Sequence, residues 1–301
     1  MTPLTLSRED SRPALAALVF GALVIATAPI LVRLAACVPA AAGFWRLTFA
    51  APLLVIMNLA GEGRGLGRPS RMMALAGVAF ALDLACWHYG IRLTSVANAT
   101  VLPNLTPVLV TLVSWVAFKE RPRAVFLIGM AAALGGAFVM AEAGRVSRSG
   151  PFAHLGDILS ASTAVWYGLY FLAVRGARQD HGAGRVMLWS SLVGAPLLLM
   201  TALALKEPIL PASALGWSAA AGLGLVHVAG QGSIAWALGR LPASRASLVV
   251  LVQPVAAAAL AYVLFAETLT PLQTLGAALA LAGVVIAEGA GVASRRQPVP
   301  A

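Results

Sequence analysis

Ten apolar segments, each close to the length that crosses a lipid bilayer, occupy most of this sequence. They are roughly residues 14–34, 40–59, 72–91, 96–117, 124–143, 154–174, 186–205, 213–238, 246–265 and 271–290. A membrane-spanning helix needs about 20 mainly apolar residues, and a helix pairs its own backbone groups where no water can do so. The predicted fold class is therefore all-α integral membrane, with ten transmembrane helices in contact with the lipid bilayer.

The charge content excludes the common soluble classes. Only 11% of the 301 residues are charged and 60% are hydrophobic, whereas a soluble domain carries about 25% charged residues. The net charge of +10 comes from arginines scattered between apolar runs, so no nucleic-acid partner is expected. Cys37 and Cys86 lie in or beside apolar runs, which favours buried thiols over a disulfide framework. The first segment exceeds the apolar core of a signal peptide and is expected to be a retained helix.

A long internal repeat organises the chain. The stretch 93–120 has a similar but not identical counterpart at 241–267. Pro107 and Pro254 are 147 residues apart in these copies. The same spacing separates Glu120 from Glu267 and Gly129 from Gly276, and Arg92 lies 148 residues before Arg240. A period of half the chain is too long for a solenoid unit, so it indicates a duplicated bundle.

The distribution of Lys and Arg predicts the orientation. If the N-terminus is cytoplasmic, 15 basic residues fall on that side, 5 on the other, and Arg46 lies within the second segment. This bias places both termini in the cytoplasm. Each half has five segments, so the repeats 1–146 and 147–301, linked near 144–151, must enter from opposite sides as an inverted 5+5 repeat. The strong preference for Arg over Lys is typical of a GC-rich bacterial genome, which predicts a bacterial inner membrane.

Specific motifs add a family resemblance. Each copy has a basic residue, a turn of small residues, a helix with a central proline and a closing glutamate. With FWR at Phe44–Arg46, ALGRLPAS at 237–244 and the paired endings LGGAFVMAE and LAGVVIAEG, the chain resembles the drug/metabolite transporter superfamily over about 14–290. It looks most similar to EamA-type permeases with ten spans, and among them to YddG-type aromatic amino-acid exporters. The resemblance implies a basket of helices around a central cavity, with substrate between the repeats.

One carboxylate lies deep in an apolar segment. Asp83 is about twelve residues into the third span, where a charge is costly and therefore a candidate for function. On a helix it shares a face with Trp87. The repeat places Gln231 at the equivalent position, with His227 one turn earlier. The alternative is a polar patch that holds helices together.

The fourth and ninth spans carry matched polar residues and prolines. One face of the fourth span carries Thr100, Asn104 and Pro107. The corresponding part of the ninth span carries Gln253 and Pro254. Proline removes a backbone donor, and the carbonyl it frees persists in a membrane only where it is buried or lines a cavity. We therefore predict a substrate-binding role for the polar residues and hinges at the prolines, with a simple kink as the alternative.

Aromatic residues form a further candidate set. Trp166 and Tyr170 share a face of the sixth span, and Trp87 and Tyr89 lie close together in the third. They could line a cavity or belong to the interfacial belt. Arg46 could pair with a substrate carboxylate, but snorkelling to the interface or a structural pair is favoured.

The predicted function is secondary transport: export of aromatic or other neutral amino acids, or of similar small metabolites, by alternating access. A drug or other metabolite exporter is the alternative. An intramembrane enzyme is the alternative from another class, but the sequence has no HExxH or GxSxG motif. A nucleotide-driven pump is not expected, because the sequence has no GxxxxGK[ST] loop. No cofactor, no metal and a monomeric state are expected.

Overall fold

The computed structural model describes residues 8–35, 38–60, 66–94, 102–119, 121–143, 151–265, 270–290 and 292–293. Within these ranges the chain is almost entirely α-helical. The helices are α1 (Arg8–Ile25), α2 (Ala28–Ala35), α3 (Pro39–Ala60), α4 (Arg71–Leu93), α5 (Thr106–Phe118), α6 (Ala124–Ala143), α7 (Ala153–Ala177), α8 (Ala183–Ala204), α9 (Ala214–Val226), α10 (Gly232–Leu238), α11 (Ala243–Val249), α12 (Val252–Phe265) and α13 (Pro271–Ala290).

Seven helical stretches within the described residues are long and apolar enough to cross a membrane. They are Ser11–Val32, Pro39–Ala60, Arg71–Gly90, Ala153–Ala177, Ala183–Ala204, Ala243–Leu260 and Pro271–Ala290. Two shorter apolar helices, Leu102–Ala117 and Ala124–Met140, coincide with two more predicted segments. The segment predicted at 213–238 is divided among α9, a π-helical turn and α10. The all-helical membrane class agrees with the structure, and the count of ten spans stays a prediction.

The two halves of the chain interlock. The most extensive packing pairs α6 with α13, α4 with α7, and α3 with α8, each joining the first half to the second. In the α3–α8 pair, Gly43 approaches Leu198 at one end and Gly184 approaches Asn58 at the other. These repeat-related helices therefore run antiparallel. The predicted boundary at residue 146/147 lies outside the described residues.

The crossing of α6 and α13 depends on glycine. A Cβ atom on Gly136 would lie 2.3 Å from the nitrogen of Ala280, and one on Gly283 would lie 2.3 Å from the nitrogen of Ala133. Both distances are far below van der Waals contact, so the backbones approach closely only because these residues lack a side chain. The outer faces carry apolar residues such as Ile128, 63% exposed, and Val285, 70% exposed, which suits contact with lipid.

Two tryptophans make equivalent contacts at the helix ends. The indole Nε1 of Trp45 donates a hydrogen bond of 2.8 Å to the carbonyl of Ile209. Trp189 makes the same 2.8 Å bond to the carbonyl of Leu66. Each tryptophan thus ties a helix of its own half to a loop of the other half.

Four helices are interrupted near the middle of the molecule. Residues 26–27 form a turn between α1 and α2, and residues 250–251 separate α11 from α12. A 3₁₀ turn, Leu102–Leu105, precedes α5, and a π-helical turn, His227–Gln231, joins α9 to α10. π-turns inside helices are frequent at functional sites.

One small departure from the all-helical prediction is a two-residue bridge. Arg121–Pro122 (β1) pairs antiparallel with Val292–Ala293 (β2). These segments border α6 and α13 in sequence, and the close packing of those helices brings them together.

Candidate functional site

A cavity of about 390 Å³ lies between the helices at the level of the four interruptions. This volume falls in the range of roughly 300–1,000 Å³ that is usual for small-molecule sites. The first half contributes Ile25, Ala26, Ala28, Pro29, Arg46, Phe80, Asp83, Leu84, Trp87, Pro103, Asn104, Thr106, Pro107 and Met140, and the second half contributes Thr163, Tyr167, Gln231, Ser247, Val250, Leu251, Gln253, Pro254 and Ala257. The cavity therefore lies between the repeats. Its lining residues come from the predicted third, fourth, sixth, eighth and ninth segments, and also from the first, second and fifth.

Arg46 reaches into this cavity from α3. Its side chain is only 7% exposed, and its guanidinium carbon lies 5.4 Å from the centre of the Phe80 ring, within the range of a cation–π interaction. The buried Nε and Nη2 atoms have no hydrogen-bond partner among the described residues. The expectation that Arg46 snorkels to the interface is wrong, because the neighbouring α4 offers it an aromatic face inside the protein.

Asp83 faces the same cavity from α4 and is 8% exposed. Arg46 is the positive group that acts on this carboxylate, and the two are the only charged side chains in the described wall of the cavity. Trp87 lies one turn further along α4 and also lines the wall, as the helical spacing predicted. The site thus presents one positive and one negative group beside an indole.

Three amide side chains add open hydrogen-bonding capacity. Asn104 Nδ2, Gln231 Oε1 and Gln253 Nε2 are buried without a partner in the described structure. The Tyr167 hydroxyl lies close to the Gln231 and Gln253 side chains. A buried polar atom without a partner costs about 1–3 kcal/mol, so a polar ligand in this cavity gains from each amide that it satisfies.

Gln231 owes its position to the π-turn of residues 227–231. The same turn directs His227 away from the cavity wall. His227 Nε2 lies 3.1 Å from the hydroxyl oxygen of Ser191, and its ring packs 5.3 Å from that of Phe80. The predicted substrate-binding residue His227 thus lies outside the described cavity wall, with its ring against that of Phe80.

The matched prolines border the cavity. Pro107 has no N–H for the carbonyl of Pro103, which accepts instead a 2.7 Å hydrogen bond from the Thr106 hydroxyl. In the second half Pro254 likewise has no N–H for the carbonyl of Val250. That carbonyl accepts a 2.9 Å hydrogen bond from the backbone N–H of Gln253. In both halves the residue before the proline satisfies the freed carbonyl, and the helix is interrupted at this level.

Some predicted site residues do not line the cavity. Tyr170 is fully buried behind the wall, stacked on Tyr167 with ring centres 5.9 Å apart, and its hydroxyl points to the sulfur of Met187 at 3.6 Å. The Tyr89 hydroxyl donates a 2.8 Å hydrogen bond to Glu207. Trp166 is not part of the wall, and Thr100 lies outside the described residues.

The sequence analysis missed several wall residues, among them Phe80, Thr106 and Tyr167. Phe80 precedes Asp83 by three residues, so it lies on the same helical face. Thr106 lies 147 residues before Gln253, the repeat spacing that relates Pro107 to Pro254. Phe80 and Thr106 could therefore have been found from the helical spacing and the repeat spacing. The described residues contain no group of three or more His, Cys, Asp or Glu side chains that could hold a metal ion.

A family model decides the class of the protein. Residues 12–141 and again residues 154–288 match the model of the EamA-like transporter family. The chain belongs to the EamA-like transporter family. The predicted resemblance is confirmed at this level, and the chain is a multi-pass membrane transporter.

Individual relatives agree with the EamA-like assignment. The chain is 29% identical over 275 residues to an uncharacterized transporter of Archaeoglobus fulgidus, covering 90% of this chain and 95% of that protein. It is 25% identical over 185 residues to the pseudopaline exporter CntI of Pseudomonas aeruginosa, covering 60% of this chain and 61% of the exporter. A solved crystal structure superposes with a TM-score of 0.78 at 22% identity, covering 93% of this chain and 98% of that chain; at this identity the likeness concerns the fold alone.

Proposed function

We propose that this EamA-like transporter is a secondary transporter that exports neutral amino acids, aromatic ones included, or similar small zwitterionic metabolites. The observation that carries the proposal is the pairing of Arg46 and Asp83 in one cavity between the halves. An α-amino acid presents a carboxylate and an ammonium on one carbon. The two charged side chains of the cavity offer one partner for each.

The chemistry of the wall fits this substrate class. The free Nε and Nη2 atoms of Arg46 suit a carboxylate, which a guanidinium binds with two parallel hydrogen bonds. The Asp83 carboxylate accepts hydrogen bonds from an ammonium group. Phe80 and Trp87 provide apolar surface for the amino-acid side chain, and the amide groups of Asn104 and Gln253 are close enough to the cavity to bind further polar atoms.

The transport mechanism we propose follows from the repeat. Ten helices form two inverted repeats, residues 1–146 and 147–301, with both termini in the cytoplasm of a bacterial cell and the protein in the inner membrane. The antiparallel packing of α3 on α8 supports the inversion. Alternating access then exposes the cavity to one side at a time, with bending at Pro107 and Pro254.

A drug or other metabolite exporter is the second candidate. The relative named as a pseudopaline exporter favours export of a metabolite, and the apolar part of the wall would also accept a lipophilic cation. The two candidates differ in their need for Arg46, because a cation gains nothing from a guanidinium.

The test is flux through the purified protein in liposomes. Radiolabelled phenylalanine, leucine and tryptophan are compared with tetraphenylphosphonium, with protein-free liposomes as the control. We expect saturable flux of at least one amino acid and its loss in Arg46→Gln. Flux of the lipophilic cation alone, undiminished in Arg46→Gln, would establish the second candidate and reject the first.

A further inference from the structure

Arg46 and Asp83 stand on two neighbouring helices, and both line the cavity. The helix of Asp83, α4, packs mainly against α7 and α8. The helix of Arg46, α3, packs against α8 and α9. Because α8 packs against both helices and the Arg46 guanidinium lies over the Phe80 ring of α4, the two charges occupy adjoining parts of the wall. A movement that closes the cavity therefore takes both of them out of water together.

The described wall contains no third charge that could compensate either one. The repeat-related counterpart of Asp83 is Gln231, a neutral amide that also lines the cavity. Trp45 and Trp189 make equivalent contacts in the two halves, so the counterpart of Arg46 is Ser190, again neutral. The pseudo-symmetric structure thus keeps one unlike pair of charges and replaces their counterparts by uncharged groups.

We propose that Arg46 and Asp83 set a charge rule for transport: the cavity closes only when both charges are compensated, by each other in the empty protein or by a zwitterion in the loaded one. This rests on the proposed function and specifies its substrate class. In the empty protein the two side chains approach each other as the cavity closes. A zwitterionic substrate supplies an anion to Arg46 and a cation to Asp83, so the loaded cavity is also neutral.

A substrate with a single charge breaks the rule. It binds to its partner side chain in the open cavity, where the other side chain still reaches water. Closure would then bury one charge without a partner, which is strongly unfavourable in a protein interior. Singly charged analogues therefore bind without being translocated, and the empty protein returns freely, so the wild type supports net flux as well as exchange.

Three ligands of one shape test the rule: phenylalanine, 2-phenylethylamine, which lacks the carboxylate, and 3-phenylpropionate, which lacks the ammonium. Binding to the purified protein is measured by calorimetry. Translocation is measured as counterflow in liposomes at equal pH on both sides. For the wild type we expect all three to bind, and counterflow of the two analogues to be at least roughly tenfold slower than that of phenylalanine at matched occupancy, a factor that corresponds to 1.4 kcal/mol.

Neutralising variants should change the class of ligand. Asp83→Asn leaves only Arg46, so counterflow of 3-phenylpropionate should rise above that of phenylalanine. Arg46→Gln leaves only Asp83, so counterflow of 2-phenylethylamine should rise instead. Both variants should lose net flux but keep exchange of their respective analogue, because their empty cavities carry a lone charge. Arg71→Gln removes an exposed positive charge outside the cavity and should behave as the wild type.

The outcomes separate the two proposals. If the wild type moves none of the neutral amino acids, the proposed function fails. If it moves phenylalanine and both analogues at similar rates, or if the two variants lose phenylalanine flux without gaining their respective analogue, the charge rule is overturned while the proposed function stands.

Discussion

The crossing of α6 and α13 allows a prediction with a matched control in the neighbouring residue. An alanine at position 136 would place its Cβ 2.3 Å from the nitrogen of Ala280 and 2.5 Å from the carbonyl oxygen of Gly276. Unstrained contacts of carbon atoms lie near 3.5–4.0 Å, so α6 and α13 would have to separate by about 1 Å. Alanine at position 135, in contrast, would meet nothing within 4 Å.

The expected change in stability follows from comparing Gly135→Ala with Gly136→Ala. Both gain the same helix propensity, about 0.8–1.0 kcal/mol for Gly→Ala. Gly136→Ala alone adds overpacking, which costs about 1–3 kcal/mol. We therefore expect Gly135→Ala to be neutral or slightly stabilising and Gly136→Ala to be less stable than Gly135→Ala by about 1–3 kcal/mol.

The assay is thermal unfolding of the two variants and the wild type in the same detergent, followed by size-exclusion chromatography. The melting temperature of Gly136→Ala should lie several degrees below that of Gly135→Ala. If Gly135→Ala lowers the melting temperature as much as Gly136→Ala, the position of this helix crossing is incorrect. Gly283→Ala, which would meet the nitrogen of Ala133 at 2.3 Å, provides the same test from the other helix.

Three further predictions concern the site and the orientation. Tyr167→Phe removes the hydroxyl beside Gln231 and Gln253, and the loss of a hydrogen bond worth about 0.5–1.5 kcal/mol should weaken amino-acid binding several-fold in calorimetry. Tyr170→Phe removes a hydroxyl that points to the sulfur of Met187 behind the wall and should leave the affinity unchanged. Equal losses in the two variants would show that Tyr167 does not face the ligand. The proposed charge rule has Arg46 and the substrate ammonium pair with Asp83 in turn, so an imposed pH gradient should not drive accumulation in the wild type. Accumulation that Asp83→Asn abolishes would instead assign Asp83 to proton coupling. A reporter that works only in the cytoplasm should be active when it is fused after residue 301. Activity of a reporter that works only outside the cytoplasm, fused at the same position, would contradict the proposed orientation.

Much of the architecture could be predicted from the sequence because the membrane imposes simple rules. Apolar length marks the helices, and the matched spacing of Pro107 and Pro254 marks the duplication. A spacing of 148 residues, as between Arg92 and Arg240, led from Asp83 to Gln231, and the structure places both in the cavity wall. Buried polar residues in an apolar helix have few alternatives to a cavity, so these assignments needed no knowledge of the packing.

The direction in which individual side chains point, and the packing of the two halves, depend on contacts between helices that the sequence does not reveal. Whether Arg46 turns inward is decided by the Phe80 ring on a neighbouring helix, not by its own helix. Tyr167 and Tyr170 lie on nearly the same face, and the rotation of α7 against α4 puts the first in the wall and the second behind it. Within the part of the chain that the structure describes, the halves also interlock instead of packing as separate five-helix units, since the most extensive helix packing joins one half to the other.

The central claim, that substrate occupies this cavity between Arg46 and Asp83, is tested most directly by protection of a thiol in its wall. Gln253→Cys, in a background without Cys37 and Cys86, is labelled with a water-soluble maleimide, with and without phenylalanine. We predict that phenylalanine slows the labelling in this background and fails to do so when Arg46→Gln is added. Unchanged labelling in the presence of an amino acid that the same preparation transports would contradict the account.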